Sequence, residues 1–127
     1  MSRFVPLNMN PDLNDDSDCT IRAITLLLDK SWDEVFLEIC AEAFNMKRMP
    51  ISDKVWSSYL VKEGCKRYRL PDTCPMCYTV NNFAIDHPSG QYLVKVDSHV
   101  VAVVNGYYYD TWDSGDEIAL YYWRKEY

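Results

Sequence analysis

The chain has 127 residues, the length of one domain, and can bury a hydrophobic core without disulfide bonds. Its 13 Lys and Arg against 19 Asp and Glu leave a net charge of −6, which excludes a general nucleic-acid binder because phosphate would be repelled. No stretch has the about 18 consecutive apolar residues that a membrane-spanning helix needs. Residues 1–10 lack the basic segment and the apolar segment of a signal peptide. We therefore expect one cytoplasmic domain, residues 1–127, with no nucleic-acid or membrane partner.

The first helix is predicted to begin at Cys19. The polar segment before it reads as a loop, and Asp18 is a suitable N-cap. Helical spacing then places four apolar side chains in one stripe: Ile21, Ile24, Leu27 and Leu28. The Cys19 thiol is therefore expected in the first turn of a helix.

Two more helices follow. Ser31 and Glu34 form a capping box, which predicts a second helix that ends near Asn45. A third helix is predicted over 52–63, with Gly64 as its C-terminal stop.

The second half of the chain changes to a strand-like pattern. We predict a loop over 65–77 and a strand over 78–85, followed by an antiparallel meander with strands at 91–96, 99–104, 107–112 and 118–123. Helices first and a meander second predict an α+β fold.

The hairpin around Asn105-Gly106 predicts which side chains share a face. This dipeptide is typical of a two-residue turn, and counting outward from it places His99 opposite Trp112. Asp110 then lies diagonal to His99 on the same face, within side-chain reach at about 7 Å between backbones. Asp113 would point to the other face.

These residues indicate nucleophilic catalysis by a cysteine. The N-terminal turn of a helix favours the thiolate of Cys19, and its backbone N–H is suited to holding an oxyanion. Such a nucleophile needs a base, here His99, and the base needs an orienting acceptor, here Asp110. Trp112 is a candidate lid over the pair. Four acids just before the thiol would raise its pKa if they crowd it: Asp12, Asp15, Asp16 and Asp18.

Three short motifs resemble the papain-like cysteine peptidase superfamily. They are Asp-Cys-Thr-Ile-Arg-Ala at 18–23, His-Val-Val-Ala-Val at 99–103 and Asp-Thr-Trp at 110–112. The likeness is to a minimal form, similar to the bacteriocin-processing C39-like peptidases and to small bacterial and phage proteins. It implies a papain-like fold in which N-terminal helices, with the nucleophile at a helix start, precede an antiparallel meander.

The resemblance also implies roles for single residues. Cys19 takes the place of the nucleophile, His99 of the base and Asp110 of its orienter, two residues before Trp112. In the family, a glutamine six residues before the cysteine helps to hold the oxyanion. Leu13 occupies that position here, and Asn14, the nearest side-chain amide, is the candidate to replace it.

Two functions remain open at this stage. The first is a thiol-dependent hydrolase acting on a peptide or isopeptide amide of a protein or peptide substrate, without cofactor; deamidation and acyl transfer use the same groups. The alternative is a catalytically inactive papain-like binding or inhibitor protein, such as one encoded by a phage, that acts through protein–protein contact.

The remaining cysteines suggest a structural role. Cys74 and Cys77 form a C-x-x-C motif that, with Cys65 and His87, would supply the four ligands of a zinc site. The irregular spacing does not match a zinc site well. We therefore expect free thiols that pack locally, without a disulfide, and keep a zinc site as the alternative.

Overall fold

The structure, a computed structural model, describes residues 2–14 and 17–126. Within these ranges the chain forms an α+β fold, which confirms the predicted class, with four helices and a six-stranded, mostly antiparallel sheet. The elements in chain order are β1 (Phe4–Pro6), α1 (Cys19–Leu28), α2 (Trp32–Met46), α3 (Asp53–Lys62), β2 (Cys65–Arg69), α4 (Val80–Asp86), β3 (Gln91–Val96), β4 (His99–Val104), β5 (Tyr107–Asp110) and β6 (Tyr121–Lys125).

The sheet has the strand order β1-β5-β4-β3-β6-β2, with β1 parallel to β5 and the other pairs antiparallel. The predicted hairpin is confirmed, because Val104 pairs with Tyr107 across the turn. Asn105 and Gly106 have φ angles of 50° and 85°, the left-handed backbone that such a turn requires.

Helices cover both faces of the sheet. The first three helices pack on one face, where Ile24, Val35 and Trp56 meet Ala102. The opposite face is covered by α4, which buries Phe83 and its neighbours against the other side of the same strands. Side chains along β4 alternate between these two cores, as expected for a strand buried on both faces.

The helix that carries the cysteine runs along β4 in the same direction. Its first residue, Cys19, accepts a hydrogen bond from the Val100 backbone. Near its other end, the Leu26 carbonyl accepts one from the Gln91 side chain, and Gln91 pairs with Val104. This alignment brings the start of α1 beside the start of β4.

Two predictions for the middle of the chain were wrong. Residues 65–69 form β2, an edge strand, rather than a loop. Lys66, Arg67 and Arg69 are exposed, so the sequence does not show the alternation of apolar and polar residues that predicts a strand. Residues 80–86 form α4 rather than a strand, and a capping box between Thr79 and Asn82 begins it.

The sheet also differs from a simple meander. The last strand is Tyr121–Lys125, and it lies between β3 and β2 instead of beside β5. The strand after the hairpin ends at Asp110, and residues 4–6, for which no strand was predicted, add a short parallel strand to β5. Among residues 2–14 and 17–126, no helix combines the length and apolar character needed to cross a membrane.

Candidate active site

Helix α1 begins at Cys19, as predicted, but Asp18 does not cap it through its side chain. Its φ and ψ of −100° and 26° differ from the extended backbone of a typical capping residue, and its side chain makes no hydrogen bond to the helix N–H groups. The carboxylate instead accepts hydrogen bonds from Asn10 Nδ2 at 3.2 Å and Trp32 Nε1 at 2.9 Å, and it forms a buried ion pair with Arg22.

These contacts keep Asp18 from opposing ionisation of the neighbouring thiol. Burial raises the pKa of Asp18, but the hydrogen bonds from Trp32 and Asn10 and the charge of Arg22 outweigh it, so the pKa is lowered. The resulting carboxylate is neutralised by Arg22. Neither Asp12 nor Asp18 is among the largest causes of the shift in the pKa of Cys19. Asp15 and Asp16, the other two acids considered in the sequence, lie outside the described residues.

The Cys19 thiol is half-buried and hydrogen bonds with the His99 ring. Burial by itself raises the pKa of Cys19. The bonds from His99, the Val100 backbone and the Thr20 hydroxyl, together with the charge of His99, outweigh burial and lower the pKa below its ordinary value. The Cys19 backbone N–H lies in the first turn of α1, and among residues 2–14 and 17–126 it has no hydrogen-bond acceptor.

His99 joins the thiol to a buried carboxylate. Its Nε2 lies 2.6 Å from Asp110 Oδ2, which leaves Nδ1 as the ring nitrogen for Cys19. Burial lowers the pKa of His99, but the hydrogen bonds and charges of Asp110 and Cys19 raise it to about 9. Both shifts favour imidazolium beside thiolate over the neutral pair, relative to the two groups apart.

Asp110 is held in place by two further hydrogen bonds. It is 4% exposed, and its Oδ2 accepts from the Ser114 hydroxyl at 2.8 Å while its Oδ1 accepts from the Thr111 backbone N–H at 2.8 Å. Ser114 is completely buried. It was not identified from the sequence, because a serine in a turn of Asp, Ser and Gly residues reads as a surface turn residue.

Asp113 belongs to a different set of contacts. Its Oδ1 accepts from the Tyr108 hydroxyl at 2.5 Å and from the Gly115 N–H at 3.0 Å. The predicted hairpin register is therefore consistent with the structure, and Asp110, not Asp113, is the carboxylate that meets His99.

Trp112 and Asn14, the predicted cover and the predicted oxyanion donor, lie at different distances from Cys19 and His99. The Trp112 ring is 4.9 Å from the His99 ring, and the side chain is 46% exposed, which suits a partial cover. Asn14 is exposed, and it lines the same cavity as Asp18 and Thr20, the two neighbours of Cys19. Its backbone carbonyl accepts from Asn8 Nδ2.

The structure corrects the prediction for the C-x-x-C motif. Cys74 and Cys77 are joined by a disulfide in the loop between β2 and α4. Cys65 is buried under the first three helices, where burial raises its pKa to about 11. His87 stacks on Phe83, which belongs to the core on the other face. The four side chains therefore do not meet, and the described residues contain no cluster of three metal-ligating side chains.

Comparison with known proteins adds no family to this geometry: no family model, curated protein or solved structure matches the chain.

Proposed function

We propose that this protein is a thiol-dependent hydrolase of the cysteine peptidase or isopeptidase type. The observation that carries the proposal is the continuous chain of contacts from Cys19 through His99 to the buried Asp110. A nucleophile, a base and an orienting acceptor in that order are the groups that acyl transfer requires.

The reaction proceeds in two balanced steps. The Cys19 thiolate attacks the substrate carbonyl carbon, His99 gives its proton to the leaving amine, and the carbon–nitrogen bond breaks to leave a thioester on Cys19. Water then attacks the thioester, His99 takes a proton from it, and the acid leaves as the thiolate is restored. The Cys19 N–H and the Asn14 amide are the proposed oxyanion donors, and Trp112 is the proposed cover of the imidazole.

The same groups would act in a papain-like enzyme, which is the family we propose on the three sequence motifs. The substrate is then a protein or peptide, and the bond is a peptide or isopeptide amide. Deamidation and acyl transfer differ from this only in the amine that leaves or in the acceptor that replaces water. Cys19 must stay reduced, which the proposed cytoplasmic setting ensures, although that setting also favours reduction of the Cys74–Cys77 disulfide.

Labelling with iodoacetamide tests the proposal. Cys19 should react much faster than the half-buried Cys40 at pH 6–7, where an ordinary thiol is protonated, and His99→Ala should slow Cys19 at least about tenfold. Peptide mapping by mass spectrometry measures both sites in one sample, so Cys40 is the internal control. Equal, slow labelling of the two thiols, unchanged by the substitution, would contradict a catalytic Cys19.

A binding protein is the second candidate, favoured by exposed apolar side chains on and between α2 and α3. Five of them are more than 60% exposed: Leu37, Phe44, Met49, Ile51 and Val61. Such side chains suit a contact with another protein. Equal labelling of the thiols, with retained binding of a protein partner, would favour this reading.

A further inference from the structure

Two cavities open near the start of α1, and Cys19 itself lines neither of them. The first, the apolar cavity, measures about 320 Å³ and has walls formed by Ile21, Trp32, Phe36, Ile39, Pro50 and Ile51. The second, the acidic cavity, measures about 340 Å³ and is lined by residues that include Asp53, Asp97, Ser98 and His99. Thr20 and Ile51 line both cavities, and Thr20 directly follows Cys19. Each is large enough for a side chain of a bound ligand.

The position of His99 gives the two cavities different roles. In acyl transfer the imidazolium protonates the leaving group, so the leaving group must lie on the side of His99. His99 lines the acidic cavity and not the apolar one. The leaving half of the substrate therefore belongs in the acidic cavity. The acyl half then extends past Thr20 into the apolar cavity, which Asn14 also lines.

The apolar cavity suits a large side chain. Trp32 and Phe36 stack there with ring centroids 5.0 Å apart and an interplanar angle of 8°, which makes one flat wall. Phe36 is 39% exposed and Ile51 is 76% exposed, so apolar surface at the cavity remains open to a ligand. The buried charge of Asp18 is paired with Arg22 and leaves no free ion in this cavity for a polar side chain to meet.

The acidic cavity suits a cation. Asp53 and Asp97 are exposed carboxylates on its wall. Two cationic side chains line the cavity. Lys95 directs its ammonium to the Val96 carbonyl at 2.6 Å, and the His99 imidazolium is paired with the Asp110 carboxylate behind it. Because Asp110 balances the charge of His99, two carboxylates against the ammonium of Lys95 leave the cavity negative, and an anionic leaving group is repelled.

We propose that the substrate is a polypeptide segment with a bulky apolar side chain on the acyl side of the cleaved bond and a Lys or Arg on the leaving side. This assignment rests on the proposed thiol hydrolase, since it uses Cys19 as the attacking atom and His99 as the proton donor. It adds what the catalytic groups alone do not define, namely which residues flank the bond and in which order.

Acyl thioesters test the two halves separately. The probes are N-acetylphenylalanine and N-acetylglycine thioesters, each with thiocholine or 3-mercaptopropionate as the leaving thiol. The Cys19 thiolate attacks the carbonyl, the probe thiol leaves with a proton from His99, and Cys19 carries the acyl group until water removes it. The rate is measured as the loss of the intact probe by liquid chromatography. Each rate is divided by the rate of the same probe with free N-acetylcysteine.

We expect the phenylalanyl probes to acylate Cys19 on the order of tenfold faster than the glycyl probes. Phe36→Ala should reduce this ratio to about two, while Leu37→Ala, a neighbour on the same helix outside the cavity, should leave it unchanged. The thiocholine probes should be several-fold faster than the mercaptopropionate probes at low salt. Asp97→Asn should reduce that ratio, and Asp72→Asn, in the β2–α4 loop, should not.

The outcomes separate this inference from the function on which it rests. If His99→Ala leaves every acylation rate unchanged and Cys19 reacts no faster than Cys40, the hydrolase itself is wrong. If acylation of Cys19 depends on His99 but shows equal rates for all four probes, the hydrolase stands and the assignment of the two cavities is overturned. If the phenylalanyl preference is unchanged in Phe36→Ala, the assignment of the apolar cavity to the acyl side is overturned. If the thiocholine preference is unchanged in Asp97→Asn, the assignment of the acidic cavity to the leaving side is overturned.

Discussion

At the scale of single residues, the chemistry depends on where the protons of Cys19 and His99 reside. The imidazole is shared between two partners, with Nε2 on Asp110 and the thiol on its other side. Asp110 can do this because Ser114 and Thr111 hold both of its oxygens while burial keeps water away. The carboxylate therefore decides which ring nitrogen faces the sulfur.

Replacing Asp110 tests this positioning role. Asp110→Asn should leave the fold intact and slow iodoacetamide labelling of Cys19 at least about tenfold, because the amide stabilises the imidazolium less and admits the wrong tautomer. The alkaline shift of the labelling pH profile is the readout that a purely structural role would not produce.

Asp113→Asn is the matched control. Its carboxylate bonds to Tyr108 and Gly115 rather than to His99, so the labelling rate of Cys19 should change less than about twofold. A larger effect of Asp113→Asn than of Asp110→Asn would mean that Asp113, not Asp110, orients the imidazole.

The two shifted groups act on stability in opposite directions. The pKa of folded His99, about 9, exceeds its ordinary 6.5, so its contribution is complete below pH 6.5 and is lost as the pH rises to about 9. The pKa of folded Cys19 lies below its ordinary 9.0, so its contribution is present above pH 9.0 and is lost as the pH falls through the folded value. The two changes in proton uptake oppose each other between the lowered folded pKa of Cys19 and pH 9.

Removing the Cys19 thiol should expose the pH dependence that His99 contributes to the free energy of unfolding. In Cys19→Ala, His99 still bonds to Asp110, so its pKa stays raised and the free energy of unfolding should fall with rising pH above 6.5, by up to about 1.4 kcal/mol per pH unit. Urea unfolding at pH 6.5, 7.5 and 8.5 measures the slope, which should be steeper than in the unmodified chain. If the double variant Cys19→Ala/His99→Ala has the same slope against pH as Cys19→Ala, His99 is not the cause of that slope.

At the scale of elements, the turn after β5 connects the catalytic carboxylate to the rest of the sheet. Gly115 lies in this turn against the Tyr108 ring, and a Cβ there would collide with the Tyr108 hydroxyl and come within 2.6 Å of Cζ. Ser114, which holds Asp110, precedes it directly. The close approach therefore couples the packing of Tyr108 to the position of Asp110.

Gly115→Ala should disturb the stability and the site together. We expect a loss of about 1–3 kcal/mol in the free energy of unfolding, because the added methyl displaces the turn, and slower labelling of Cys19 because Ser114 moves with it. Tyr108→Phe in the same chain removes the hydroxyl and should recover part of both losses. Full stability of Gly115→Ala would show that the turn adapts freely.

At the scale of the whole molecule, the site lies where the first helices meet the start of β4, whereas the disulfide lies in the loop between β2 and α4. Cys74 and Cys77 contact neither Cys19 nor His99 in the structure. The disulfide closes a loop of only four residues, so its contribution to stability is at most about 2 kcal/mol.

The double substitution Cys74→Ser/Cys77→Ser should therefore lower the free energy of unfolding by at most about 2 kcal/mol and leave the labelling rate of Cys19 unchanged. Thiol counting of the air-oxidised, unfolded chain should find three free thiols. A count of five would contradict the disulfide, and a slower Cys19 in the double variant would contradict the separation of the two regions.

Features that depend on a few neighbouring residues could be predicted from the sequence. The start of α1 at Cys19, the capping box of Ser31 and the Asn105-Gly106 turn are local, because each is decided by the backbone preferences of adjacent residues. The hairpin register then placed Asp110 beside His99 by counting alone, since side chains alternate along a strand.

Features that depend on distant partners were decided only by the tertiary structure. Asp18 has the residue type of an N-cap, but Trp32 and Arg22 draw its carboxylate into a buried network. Residues 65–69 read as loop until β6 supplies the strand that pairs with them. Ser114 gains its role only when the turn buries it against Asp110. Local preferences are worth tenths to about 1 kcal/mol per residue, so burial and long-range pairing override them wherever the two conflict.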